Sequence, residues 1–228
     1  MTTIRTVDVT LADTTGMKKL LTVVNLVKNP RGVNSTAVGG SSGTGGASAL
    51  TYPTTGGPLT DAPSFIRRTI NTVPTAGDIT VTVGSQTITA LDAGHIGKTL
   101  NFAVYVRASK ACATPGIPYA SIGWFNVSEG FISGATGGST TLTANTWMRL
   151  GVFTATVPAL TTRLQFQATF PVNGVSGLAI GDTFDVTAFL VNETVTGFDN
   201  SYFDGASVGA SWQGTAHASR SAKVVGIG

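Results

Sequence analysis

Apolar and polar residues alternate with a period of two in segment after segment of this sequence. The three-to-four spacing of an amphipathic helix is almost absent, which restricts the chain to an all-β fold. Ile79, Val81 and Val83 oppose Thr80 and Thr82, and Leu100, Phe102, Val104 and Val106 oppose Asn101, Ala103, Tyr105 and Arg107. Leu164, Phe166, Ala168 and Phe170 likewise oppose Arg163, Gln165, Gln167 and Thr169. Each segment can pack one face and wet the other. Residues 183–191 differ: Phe184, Val186, Ala188 and Leu190 share one side, but Phe189 and Val191 fall on the other. That pattern predicts a central strand covered on both faces. Residues 119–127 and 147–157 complete the set, separated by a turn-rich stretch containing Gly130, Gly134, Gly137 and Gly138.

Composition supports this reading. Only 11% of residues are charged, so the solvated faces must be covered by hydroxyls and short polar groups. β-Branched Thr suits that role on a pleated sheet. A chain of 228 residues, 42% of them hydrophobic, is long enough to bury a full core. Two regions break the alternation. Residues 33–58, with a Gly-Gly-Ser-Ser-Gly-Thr-Gly-Gly centre, are expected to form a long flexible loop. Residues 1–24 are expected to be an N-terminal arm, whose alternating run 5–11 could pair with a partner chain as readily as with its own sheet. Residues 25–228 then form a sandwich or barrel. Pattern alone does not separate a jelly roll from an immunoglobulin-like sandwich, although the Cys-Trp-Cys signature of the latter is missing.

Several function classes are disfavoured. The net charge of +3 is spread over few groups, with Lys18, Lys19, Lys28 and Arg31 near the start and Arg67 and Arg68 as the only later pair, too sparse for a nucleic-acid face. Cys112 stands alone, and His95 and His217 lie far apart, so neither an internal disulfide nor a zinc site has the required spacing. No apolar run reaches the eighteen or so residues of a spanning helix, so no membrane insertion is expected. Gly-rich stretches lack the Lys and following helix of a phosphate loop. Glycoside hydrolysis would need two carboxylates across a bond. Asp182, Asp185, Glu193, Asp199 and Asp204 cluster late in the chain, with Glu129 far upstream, but acidic residues in turns usually cap them.

The order of several motifs carries a resemblance. Asn25-Leu-Val-Lys-Asn-Pro, Gly97-Lys-Thr-Leu-Asn-Phe, Ile122-Gly-Trp-Phe-Asn, Asn145-Thr-Trp-Met-Arg-Leu and Gly181-Asp-Thr-Phe-Asp-Val follow one another. Tyr202-Phe-Asp-Gly, Trp212-Gln-Gly-Thr and His217-Ala-Ser then close the chain. Together, over roughly residues 25–223, they resemble the carbohydrate-binding-module-like jelly rolls of actinobacteriophage minor tail proteins. The resemblance implies a jelly-roll β-sandwich with an extended N-terminal arm and a non-enzymatic role in the virion, at the phage tail. It also implies other tail proteins as partners, homo-oligomerisation with a trimer among the expected forms, and contact with host cell-wall polysaccharide. The alternatives are a purely structural decoration or baseplate subunit and, third, a polysaccharide-degrading enzyme. No cofactor is implied. A structural calcium is left open, since no dense acidic loop announces one.

Sugar binding needs exposed rings beside fixed polar groups. Trp124, Tyr105 and Tyr119 are the candidate rings, with Asn126, Gln165 and Gln167 as polar partners; each ring also fits a packing role. Tyr202, Phe203 and Trp212 are assigned to a closing segment or an interface, with Phe203 buried against residues 183–191. Trp147 is expected to pack on a core edge.

Overall fold

The structure, a computed structural model, describes residues 9–10, 19–33, 38–83, 89–217 and 219–227. Most of the expected arm lies outside the described residues, including all of the alternating run 5–11 except Val9 and Thr10. The strands are β1 (Val9–Thr10), β2 (Lys19–Asn25), β3 (Val38–Gly39), β4 (Ser42–Thr44), β5 (Ala47–Thr51), β6 (Ile66–Thr72), β7 (Ala76–Val83) and β8 (Thr89–Ala90). They continue as β9 (Thr99–Ala108), β10 (Tyr119–Phe125), β11 (Phe131–Gly137), β12 (Met148–Thr156), β13 (Arg163–Pro171), β14 (Thr183–Glu193), β15 (Ala210–Trp212) and β16 (Ser221–Ile227).

Two antiparallel sheets form a jelly-roll β-sandwich. One runs β11-β10-β13-β7-β3, with β4 on β7 and β8 on β13; the other runs β12-β9-β14-β6-β5. The alternation seen in the sequence explains the core between them. Ile122, Trp124, Leu164, Phe166 and Phe170 point inward from the first sheet, and Leu100, Phe102, Val104, Phe184 and Val186 from the second. Phe102 sits at the centre, edge-on to Trp124 and Phe166 at 6.0 and 5.5 Å and stacked on Phe153 at 5.1 Å between ring centroids. Such pairs add directional preference to the burial of large rings.

A third sheet, β1-β2-β16-β15, joins the two ends of the described chain and covers part of the outer face of the second sheet. β14 is therefore covered on both sides, as its sequence predicts, but through a different set of side chains. The register shifts between Thr187 and Leu190, and Ala188 adopts φ 53°. A bulge inserts one residue and exchanges the faces beyond it. Phe184, Val186, Phe189 and Val191 consequently face the main core, whereas Leu190 turns outward to meet Val23, Ala103, Phe198 and Phe203. Phe203 is buried against β14 as expected.

Asn25 secures this bulge. Its side-chain amide donates to the carbonyls of Phe189 and Phe203, both at 3.0 Å. Its carbonyl oxygen accepts from Val27 N–H at 3.2 Å and Val191 N–H at 3.1 Å. All four hydrogen-bonding positions of a fully buried amide are used. The chain then lies along β14, with Leu26 N–H donating to the Val191 carbonyl at 2.7 Å and Phe189 N–H to the Pro30 carbonyl at 3.0 Å.

Two expectations are corrected here. Residues 19–24 are strand in the third sheet, paired with β16, rather than part of an arm. Within the Gly/Ser-rich stretch 33–58, residues 38–39, 42–44 and 47–51 are ordered as β3, β4 and β5. The cause is Arg68, which points inward from β6 and donates from Nη1 to Ser42 Oγ at 3.0 Å and Ser48 Oγ at 2.6 Å. A buried cation supplies the attachment that the composition of the segment lacks.

Asn25→Ala would strand two carbonyls and two N–H groups in the interior. We expect it to lower unfolding free energy by about 4 kcal/mol in chemical denaturation.

Candidate carbohydrate-binding face

The outer face of the second sheet is partly covered by β2, β16 and the segment around Phe203. The outer face of the first sheet carries no covering sheet among the described residues. Pairing of β10 with β11 and β13 sets its residues in rungs. One rung joins Phe131, Phe125 and Arg163; the next joins Gly134, Gly123 and Gln165; the next joins Thr136, Ser121 and Gln167. The last joins Tyr119, Thr169 and, across β7, Thr80. From Phe125 to Tyr119 the face extends for about 20 Å at strand rise.

The glycines shape one end. A Cβ on Gly123 would lie 2.8 Å from the Phe125 ring, and both Gly123 and Gly134 lie beside the Phe131 ring. The two phenyl groups meet edge-on at 5.6 Å between centroids, and Phe131 is 66% exposed. An apolar ring surface thus stands open to solvent next to Gln165. In the middle, Gln167 Oε1 accepts from Thr82 Oγ1 at 3.4 Å, which leaves its amide N–H groups available. Ser121 Oγ is buried beside it without a protein partner. At the far end, the Tyr119 hydroxyl donates to Asp78 Oδ2 at 3.4 Å. Burial raises the Tyr119 pKa and the neighbouring Asp78 charge adds to the effect, so the phenol keeps its proton.

Three of the six residues proposed from sequence, Tyr119, Gln165 and Gln167, therefore share this face. Asn126 stands at its border in a structural role, its Oδ1 accepting from Ser128 and Gly130 N–H, both at 2.9 Å, to close the β10–β11 turn. The assignment of Trp124 to sugar stacking is corrected: the ring points into the core and is 2% exposed, leaving no face for a ligand. Tyr105 lies on the other sheet, packed with Ala62, Ala188 and Tyr202 beneath the Arg149 guanidinium. Sequence reasoning missed Phe125 and Phe131. The signal available was alternation itself, since Tyr119, Ser121, Gly123 and Phe125 must share the face opposite Trp124.

The closing segment is a packed seam. Asp204 is buried, accepts from the Tyr202 hydroxyl at 3.0 Å and pairs with Arg31. Trp212 is half-buried on the backbone of Gly205, where a Cβ would collide with the indole, and meets His217 at 4.8 Å. Burial and then the Arg31 charge lower the His217 pKa, favouring the neutral ring. Trp147 packs at an edge as expected: its ring meets Phe65 at 5.5 Å and the Arg107 guanidinium at 4.6 Å. Arg107 and Arg67 both bind the buried Asp185, at 2.7 to 2.9 Å.

Among the described residues, no group of His, Cys, Asp and Glu is placed to hold a metal ion, and no helix is long and apolar enough to cross a membrane. No protein-family model matches the sequence, and no curated protein matches it. Solved structures do share the fold. The enzymatically active domain of tailspike protein 4 of bacteriophage CBA120 superposes with a TM-score of 0.52 at 13% identity, over 75% of this chain and 21% of that one. The CBM22-1–GH10 modules of endo-1,4-beta-D-xylanase 10B from Clostridium thermocellum, complexed with xylohexaose, give 0.53 at 11% identity, over 76% and 29%. The CBM22-1–CBM22-2 tandem domain of Xyn10C from Paenibacillus barcinonensis gives 0.52 at 16%, over 75% and 50%. The chain spans between about a fifth and a half of the length of these proteins. What they share with this chain is the jelly-roll sandwich fold.

Removing the Trp124 indole creates a core cavity, whereas Phe131 is largely solvated. Trp124→Ala should lower unfolding free energy by about 4 kcal/mol, and Phe131→Ser should change it by less than about 1 kcal/mol, as read in denaturant titrations.

Proposed function

We propose that this protein is a non-enzymatic component of a phage tail whose jelly roll binds the cell-wall polysaccharide of the host. The observation that carries the reading is the open face of the first sheet. There an exposed phenyl surface adjoins the half-buried Gln165 and Gln167. A pyranose offers an apolar face to the ring while its hydroxyls take and give hydrogen bonds to amides. The charges on this face are the paired Arg163 and Glu129 and the carboxylate of Asp78, which favours a neutral glycan. The resemblance of motifs to those of minor tail proteins and the shared fold of a phage tailspike domain support placement in a tail.

A catalytic reading is disfavoured by geometry. Glu129 and Asp78 lie beside opposite ends of β13, about 26 Å apart along the strand, where hydrolysis requires about 5 to 10 Å. Three of the five late carboxylates are engaged structurally: Asp182 by Ser109 and the Ala179 N–H, Asp185 by two arginines, Asp204 by Arg31 and Tyr202. One feature favours a subunit contact instead. Val127, Phe131 and Leu160 are exposed apolar residues on the two turns that meet where Thr162 N–H donates to the Phe125 carbonyl. On that second reading, copies of the chain or other tail proteins cover this tip.

Affinity for purified host cell-wall polysaccharide, measured by calorimetry, separates these readings. We expect the pair Gln165→Ala and Gln167→Ala to weaken binding by at least about tenfold with the fold intact. Unchanged affinity in that variant would remove the proposed face, and release of reducing sugar by the wild type would make the protein an enzyme.

A further inference from the structure

Arg68 is an unusual charge. It is 5% exposed, points between the two sheets, and forms no ion pair among the described residues. A buried guanidinium without a carboxylate is costly, because the charge loses its hydration without gaining a counter-charge. Tyr52 is the ionisable group that acts on it, and burial raises the Tyr52 pKa, so this phenol stays neutral and does not supply the missing charge.

The proton inventory gives the imbalance a direction. Nη1 donates to Ser42 Oγ and Ser48 Oγ. These two hydroxyls are 2.6 Å apart, so one donates to the other and the second hydroxyl proton has no acceptor among the described residues. Nε–H also has none. The cluster is thus rich in donors, poor in acceptors and positively charged. It lies under the Gly40–Gly46 strap, where Gly40 and Ser41 are exposed and the two serines are half-buried, so the cluster is close to solvent. We propose that Arg68, Ser42 and Ser48 bind a compact inorganic monoanion of the chloride class, which fastens this strap to the sandwich edge. The site is separate from the open sheet face, and its occupant supplies both the missing charge and the missing acceptor.

The test is thermal unfolding of the full chain in sodium chloride and in sodium gluconate at equal ionic strength. Chloride at ten times its Kd should raise the wild-type midpoint by about 4 °C over gluconate. Arg68→Met should abolish that difference, and Ser48→Ala, which keeps the charge and the backbone, should reduce it. Equal wild-type midpoints in the two salts, or a chloride increment that persists undiminished in both variants, would overturn the proposal. Should Arg68→Met fail to fold, bromide-soaked crystals of the wild type decide. Anomalous density within contact of the Ser42 or Ser48 hydroxyl supports the site, and its absence there refutes it.

Discussion

The buried side chain of Asn25 is the interaction on which the rest of the arrangement depends. β14 must turn aromatic residues toward the main core along its whole length and also offer a surface to the terminal sheet. Strict alternation cannot do both with the sequence Phe184 to Val191. The bulge at Ala188 resolves the conflict, but it leaves backbone groups at Phe189 and Val191 without ladder partners. The Asn25 amide, Leu26 N–H and the Pro30 carbonyl take up those groups. A third element, the closing segment, is tied in through the Phe203 carbonyl. One polar residue thus fixes the bulge, the entry of the chain into the sandwich and the seat of the third sheet.

That arrangement decides which surface is open. Once β2 and β16 lie over the second sheet, much of its outer face belongs to packing, including Tyr105 and the seam around Asp204. Among the described residues the first sheet has no such covering sheet, and its solvent side carries the proposed site. The position of the candidate site therefore follows from the asymmetry of the two faces as much as from the residues on it.

Much of this was legible in the sequence because period-two alternation reports directly on which side of a strand is buried. The pairing of Gln165 and Gln167 on one face, the burial of Phe203 and the double cover of β14 could all be read that way. The bulge could not: a single φ of 53° at Ala188 exchanges Phe189 and Leu190 between cores, and no residue type announces it. Nor could the order of the Gly/Ser strap, whose attachment comes from Arg68, twenty or more residues beyond Ser42 and Ser48. Trp124 shows the limit of reading residue identity alone. A tryptophan suggests a sugar platform, yet alternation with Ala120 and Ile122 puts it inside and puts Phe125 outside.

We propose that a glycan lies on the open face of the first sheet. Backbone amide shift mapping by NMR, with and without host cell-wall polysaccharide, tests it most directly. Perturbations are expected to concentrate at Ser121, Gly123, Phe131, Gln165 and Gln167. Perturbations centred instead on Arg67, Arg107 and Trp147, on the other side of the sandwich, would contradict it.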